Sequence, residues 1–79
     1  MEIKQLEYFA AAVEYGSLNR AAEKLYTTQP NVSRVLNSLE KELHVTLLER
    51  SNKGIKMTPQ GEELYGHAMS ILKLSNVIR

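Results

Sequence analysis

The sequence contains no cysteine, and this absence excludes a whole class of sites. Neither a disulfide framework nor a thiolate metal site can form without the cysteine sulfur. The histidines, His44 and His67, are far apart in the chain, neither has a second histidine at helical spacing, and His44 lies at a predicted helix end. We therefore interpret both as solvent-facing or packing residues, and we expect neither a metal nor another cofactor.

Long apolar runs are also missing. No stretch approaches the roughly 20 apolar residues that a membrane-spanning helix needs. The N-terminal stretch EIKQLEYF is amphipathic and charged, unlike a secretory signal peptide. We therefore expect a cytoplasmic protein that does not enter a membrane.

The length of 79 residues predicts one small domain. A single hydrophobic core is only just sufficient at this size, so a partner subunit often contributes to stability.

The net charge of +1 hides two segments without acidic residues. Residues 24–39 hold Lys24 and Arg34, and residues 50–61 hold Arg50, Lys53 and Lys56. If folding places these segments side by side, they form one basic face suited to nucleic acid, although chance could also produce this pattern.

The stretch from Thr27 to Leu43 has the pattern of a helix with one buried face. Its apolar residues recur at i, i+3, i+4, i+7 and i+11, namely Val32, Val35, Leu36, Leu39 and Leu43. Thr28 is suited to cap the helix, and Pro30 is tolerated in the first turn. The outer face carries side chains that read bases or bind phosphate, among them Gln29, Asn31, Ser33, Arg34 and Asn37. This pattern predicts a recognition helix, with an ordinary amphipathic surface helix as the alternative.

Two helices are predicted before this stretch. Ile3, Leu6, Phe9, Ala10 and Val13 form the first stripe, which should end near Tyr15 because Gly16 follows at the usual position of a left-handed cap. Ser17 can cap a short second helix, whose stripe is Leu18, Ala21, Ala22 and Leu25. Only Tyr26 and Thr27 then precede the Thr28 cap, and so tight a connection matches the helix-turn-helix plan.

A hairpin is predicted between residues 45 and 58. Val45, Leu47 and Leu48 form a short apolar run, the SNKG stretch supplies turn chemistry, and an alternating pattern resumes at Ile55. Two strands alone are marginal, so their apolar residues should pack on the helices as a wing with a basic tip. A plain loop packed on the core is the alternative.

Thr58 and Pro59 predict the start of a long fourth helix. At about 1.5 Å per residue, roughly 20 residues would extend some 30 Å, beyond the reach of a three-helix core. We therefore expect the far part of the helix to form a homodimer, with contacts from Leu64, Ala68, Ile71, Leu72 and Ile78. The chain stops at Arg79 without a Gly or Pro terminator, so we expect a fragment that ends in or just after this helix. Residues 1–58 are then the winged domain and residues 59–79 a linker helix.

Other charged and aromatic residues do not predict a second kind of site. Glu62 and Glu63 are adjacent and point about 100° apart on a helix, so they do not converge on one substrate, and we expect no enzyme. The run from Glu40 to Glu42 is interpreted as a solvated face. We interpret the tyrosines as packing residues, with phosphate contact as an alternative for Tyr26. A winged helix that binds only protein remains the competing function, but the acid-free surface from Gln29 to Leu39 favours DNA.

In this order and spacing, the motifs resemble the N-terminal DNA-binding domain of LysR-type transcriptional regulators over the whole chain. The matching residues are Leu6, Phe9 and Val13, then Ser17, Ala21, Ala22 and Leu25, then Gln29, Pro30, Ser33 and Arg34. Leu48 and Arg50 occupy the family's L-F-x-R pattern, and Gly54, Thr58 and Gly61 fit its R-G-(V/I)-x-L-T-x-x-G stretch.

The resemblance implies a mainly α winged helix-turn-helix, with three helices, a two-stranded wing and a long dimerisation helix. Its function would be sequence-specific binding of double-stranded DNA, with the third helix, about residues 29–43, in the major groove. Full-length members form homodimers or higher oligomers and bind a small-molecule effector through a further C-terminal domain. The resemblance implies base or groove contact for Gln29, Pro30, Asn31, Ser33 and Arg34, and phosphate contact for Thr28, Arg50 and Lys53. Asn37 and Lys56 complete the predicted DNA-binding set.

Three positions depart from the family pattern. His44 stands where Gly usually follows the third helix, so the chain must either place His in a left-handed conformation or use another turn. Leu48 replaces the commoner Phe, which changes packing only. Asn31 replaces a small residue or Pro, so its contact need not follow the family pattern.

Overall fold

The computed structural model describes the backbone of residues 1–78 and the side chains of residues 1–74. The elements in chain order are α1 (Ile3–Tyr15), α2 (Leu18–Lys24), α3 (Gln29–Leu43), β1 (Leu48–Ser51), β2 (Gly54–Met57) and α4 (Pro59–Ile78). The two strands form an antiparallel sheet. This architecture confirms the predicted fold class, a mainly α winged helix-turn-helix.

The helix ends follow from local sequence. Gly16 adopts the left-handed conformation, with φ of 65°, and its N–H donates to the Ala12 carbonyl over 3.0 Å. The Ser17 hydroxyl then accepts a hydrogen bond from the backbone N–H of Arg20, which caps α2. His44 ends α3 with φ of 58°, so the chain uses the strained left-handed histidine and not another turn.

The core lies between α1, α2 and α3, and α4 and the wing pack on it. Its largest fully buried side chains are Phe9, Val32, Leu36, Leu39 and Leu47. Ala21 and Ala22 are buried in α2, where their small side chains allow the helices to approach closely. The ring of Tyr65 meets that of Phe9 edge-on at 6.3 Å, which anchors the first half of α4.

The start of α4 is fixed to the segment that precedes the wing. The buried Thr58 hydroxyl donates to the Thr46 carbonyl over 2.6 Å and accepts from the N–H of Gly61 over 3.0 Å. Gly61 lies directly against the carbonyl of Leu47, at a position where a Cβ atom would overlap the oxygen. The predicted cap is confirmed, and glycine is required here because of the close backbone approach.

The wing is a hairpin whose strands are joined at Asn52 and Lys53. Arg50 pairs with Ile55 and Glu49 pairs with Lys56. Directly paired residues project from the same face of a sheet, and neighbours along a strand project from opposite faces. Arg50 therefore shares the face of the core-packed Ile55, whereas Lys56 lies on the other face beside Glu49.

Two interpretations of surface residues are wrong. Glu40 does not belong to a solvated face, because its Oε2 atom accepts hydrogen bonds from the N–H groups of Leu47 (2.7 Å) and Leu48 (3.2 Å). Tyr26 does not pack, since it is 96% exposed in the left-handed turn between α2 and α3. Glu42 is exposed as expected and forms an ion pair with the Met1 ammonium group, whose hydrogen bond lowers the pKa of the carboxyl.

No helix in the described part of the chain is both long and apolar enough to cross a membrane.

Candidate nucleic-acid interface

The N-terminal end of α3 is the centre of the candidate site. Thr28 has extended backbone angles, and its hydroxyl accepts a hydrogen bond from the N–H of Asn31 over 3.3 Å, so the helix begins at Gln29 as predicted. Thr28, Pro30 and Arg34 are exposed around this end. A helix N-terminus carries partial positive charge and presents backbone N–H groups, which together suit a phosphate or another anion.

Arg50 connects the wing to the outer face of α3. Its guanidinium donates to the Ser33 hydroxyl and to the Asn37 side-chain oxygen, each over 3.0 Å. The same group lies 3.9 Å from the Glu40 carboxylate, which offsets part of its charge. The structure thus brings the two acid-free segments together and unites Ser33, Asn37 and Arg50 in one surface, which we call the α3–wing surface.

An open cleft of about 480 Å³ lies between the start of α2, the start of α3 and the tip of the wing. Its polar lining includes Ser17, Asn19, Gln29, Arg50 and Asn52. Ser17 and Asn19 are not among the site residues predicted from the sequence. The signal that could have found them is the helix-turn-helix plan itself, in which the first helix of the pair crosses the nucleic-acid backbone.

The lysines of the wing are separated in space. Lys53 is exposed in the hairpin turn, where its backbone N–H donates to the Ser51 hydroxyl over 3.2 Å. Lys56 lies on the face away from Arg50 and faces Glu49 across the hairpin. The α3–wing surface therefore has a cationic tip at Lys53, but Lys56 does not lie on it.

Asn31 is held by contacts within the chain. Its side-chain NH₂ group donates to the Thr27 hydroxyl over 2.9 Å and approaches the Tyr8 hydroxyl at 3.5 Å. Its side-chain oxygen accepts from the guanidinium of Arg34. The contact with Tyr8 could not be predicted because that residue lies 23 residues away in the chain. The contacts with Thr27 and Arg34 are at helical spacing, and this spacing is a signal that could have found them.

The residues predicted for a dimer differ in exposure. Ala68 is fully buried within this chain, so it offers no surface to a partner, and Leu64 packs partly on the core. Ile71 is 38% exposed and Leu72 is half-buried. The Ile78 side chain lies outside the described residues. Met69 and Leu74, which the prediction omitted, are exposed apolar residues of the same helix.

The start of α3, where Arg34 contacts Asn31, and the α3–wing surface together offer hydrogen-bonding groups and positive charge. Guanidinium groups of Arg34 and Arg50 stand beside the hydroxyl and amide groups of α3. These groups can bind phosphate oxygens and base edges. Among the described residues, no group of three or more His, Asp or Glu side chains could hold a metal ion.

Comparison with protein families gives a match over most of the chain. The model of the family described as "Bacterial regulatory helix-turn-helix protein, lysR family" matches residues 3–62. One relative, the HTH-type transcriptional regulator BenM of Acinetobacter baylyi, is 46% identical over 77 residues, which are 98% of this chain and 25% of that protein. The chain spans about a quarter of the length of the curated relatives it first matches.

Solved structures share the fold closely. The BenM DNA-binding domain in complex with catB site 1 DNA matches with a TM-score of 0.95 and 41% identity, over 99% of this chain and 88% of that chain. The CbnR DNA-binding domain in complex with DNA matches with a TM-score of 0.92 and 42% identity, over 96% and 87% of the two chains.

Proposed function

The chain belongs to the lysR family of bacterial regulatory helix-turn-helix proteins, and from this premise we propose that it binds double-stranded DNA in a sequence-specific manner. It would act as the DNA-binding part of a transcriptional regulator. The observation that carries the proposal is the bridge from Arg50 to Ser33 and Asn37, which makes the wing and the outer face of α3 one surface. The DNA complexes of similar domains support the same role.

In this proposal the start of α3 contacts bases, and the wing contacts the phosphate backbone. The helix α3 enters the major groove, which is wide enough for a helix, with its N-terminal turn toward the bases. Gln29 and Arg34 contact base edges, while Pro30 and Ser33 line the contact. Thr28 at the helix start, Arg50 on the outer face of α3 and Lys53 at the wing tip contact phosphates. Lys56 is left out of this assignment because it lies on the other face of the hairpin.

The proposal includes an assembly. Residues 1–58 form the winged domain, and the linker helix of residues 59–79 pairs with that of a second copy. The exposed Ile71 and Leu74, which lie about 60° apart around the helix, supply apolar surface for this contact. In the whole protein, we propose higher oligomers and a further domain that binds a small-molecule effector. Its activity is regulatory and not enzymatic, and it acts in the cytoplasm because that is where bacterial chromosomal DNA is found.

Selection of bound duplexes from a random library tests the proposal. We expect enrichment of two related half-sites, separated by a distance that the helical repeat of DNA sets. The selected duplex should bind on the order of 10³-fold more tightly than a shuffled duplex at the same salt concentration. A folded protein that enriches no sequence would contradict the proposal, and would favour a winged helix that binds protein.

A further inference from the structure

We propose that Asn31 determines base preference indirectly, as a positioning residue that holds the guanidinium of Arg34 in the direction needed to read a base. This inference rests on the proposed DNA-binding function and replaces the direct base contact that the resemblance implied for Asn31. Its basis is the side-chain network of Thr27, Tyr8, Asn31 and Arg34 at the start of α3.

The orientation of the Asn31 amide follows from the chemistry of its partners. A guanidinium can only donate hydrogen bonds, so the Asn31 oxygen must face Arg34 and the NH₂ group must face the other way. That NH₂ group meets the hydroxyls of Thr27 and Tyr8, which can both accept. Direct reading of adenine by Asn requires the oxygen and one N–H together at the base edge. In this structure both ends of the amide are already engaged.

The support for Asn31 is rigid compared with the group that it holds. Tyr8 is buried in α1, and Thr27 is fixed by its backbone N–H, which donates to the Ala22 carbonyl over 2.9 Å. Arg34, by contrast, is an exposed residue with a long side chain that has many accessible rotamers. An acceptor that is held by the turn before α3 and approached by a buried side chain of α1 restricts those rotamers before DNA arrives. The Arg34 side chain then loses less conformational entropy when DNA binds, because its guanidinium already points in the required direction.

A guanidinium held in one direction should prefer one particular base. A directed guanidinium fork recognises the O6 and N7 atoms of guanine, the commonest specific contact of arginine in the major groove. Arg34 should therefore select one G·C pair in each half-site. Loss of the Asn31 side chain should weaken the preference at that same pair, because the Arg34 guanidinium is still present but is no longer held in one direction.

A double-mutant cycle tests this claim. The proteins are the wild type, Asn31→Ala, Arg34→Ala and the double variant, each titrated by fluorescence anisotropy against the selected duplex and its single-base substitutions. Arg34→Ala should lose about 10-fold in discrimination at one base pair. Asn31→Ala should lose about 3- to 5-fold at the same pair, and the double variant should be no worse than Arg34→Ala.

Two variants of the support provide an independent measurement. Thr27→Val removes the acceptor at 2.9 Å with little change in shape, and Tyr8→Phe removes the more distant hydroxyl. Both should weaken preference at the Arg34 pair, with the larger effect for Thr27→Val. Lys41→Ala removes a positive charge from the far end of α3 and should leave the base profile unchanged. Circular dichroism confirms folding, and the two support variants decide the matter if Asn31→Ala does not fold.

Three outcomes would overturn the inference. First, Asn31→Ala could change the preference at a base pair other than the one that Arg34 reads, and could do so again in the Arg34→Ala background. That result would show that Asn31 reads a base itself. Its role is only structural if Asn31→Ala weakens all duplexes equally. A wild type without any sequence preference would overturn the proposed function, and this inference with it, so the two failures are distinguishable.

Discussion

Replacement of Glu40 by alanine should lower the free energy of unfolding far more than replacement of a solvent-exposed glutamate. The carboxylate joins α3 to the segment that enters the wing, because it accepts hydrogen bonds from the N–H groups of Leu47 and Leu48. Both leucines are buried, so these N–H groups would lose an acceptor that water cannot easily replace. The wing would also lose a contact that holds it beside α3.

The magnitude follows from the geometry. A hydrogen bond to a charged group contributes about 1.5–3 kcal/mol, but here one oxygen serves both donors and the bond from Leu48 is long at 3.2 Å. We therefore expect Glu40→Ala to reduce the free energy of unfolding by about 2–3 kcal/mol in all. For a domain of this size the melting temperature should fall by roughly 10–20 °C.

Urea and thermal unfolding followed by circular dichroism measure this loss. Glu40→Gln keeps an acceptor oxygen and should cost about 1 kcal/mol or less, because the lost charge pair with Arg50 is partly exposed. Glu49→Ala, on the exposed face of the wing, is the matched control and should stay within about 0.5 kcal/mol of wild type. The reasoning is refuted if Glu40→Ala is no more destabilising than Glu49→Ala.

Three further predictions concern α4, the wing and the dimer. Gly61→Ala should lower the free energy of unfolding by about 1–3 kcal/mol, because the added Cβ would overlap the Leu47 carbonyl. Gly66→Ala adds a Cβ in open space and should raise the free energy of unfolding by about 0.5–1 kcal/mol. Equal melting temperatures for the two variants would contradict this. Lys53→Ala should weaken binding to selected and random duplexes alike and reduce the salt slope by about one unit; a loss limited to the selected duplex would instead indicate base contact. Ile71→Glu should give a folded monomer by sedimentation, and a variant that still dimerises would refute the proposed α4 contact.

Local features could be predicted from the sequence because their partners are neighbours in the chain. The caps Ser17, Thr28 and Thr58 each bond a backbone N–H that lies three residues further on, so residue type and spacing were sufficient. The buried stripe of α3 and the turn of the hairpin follow from periodicity and turn chemistry in the same way. The order of these local signals along the chain also indicated the family, and the comparison with protein families confirms that assignment.

Features that depend on residues far apart in the chain could not be predicted. Glu40 has the same local pattern as a solvated glutamate, and only the fold brings the N–H groups of Leu47 and Leu48 to it. The contact between Asn31 and Tyr8 likewise joins two different helices. Periodicity along α4 identified Ala68 as part of an apolar face, but it could not decide whether this chain or a partner covers that face. The structure shows that this chain covers Ala68.

The central claim is that the α3–wing surface is the part of the molecule that meets DNA. The most direct measurement is a titration of the isotopically labelled protein with the selected duplex, followed through its backbone amide NMR signals. We predict the largest shift changes from Thr28 to Asn37 and from Arg50 to Gly54, with smaller changes at Ser17 and Asn19. Changes that are confined to the outer surfaces of α1 and α4, while the start of α3 keeps its free signals, would contradict the claim.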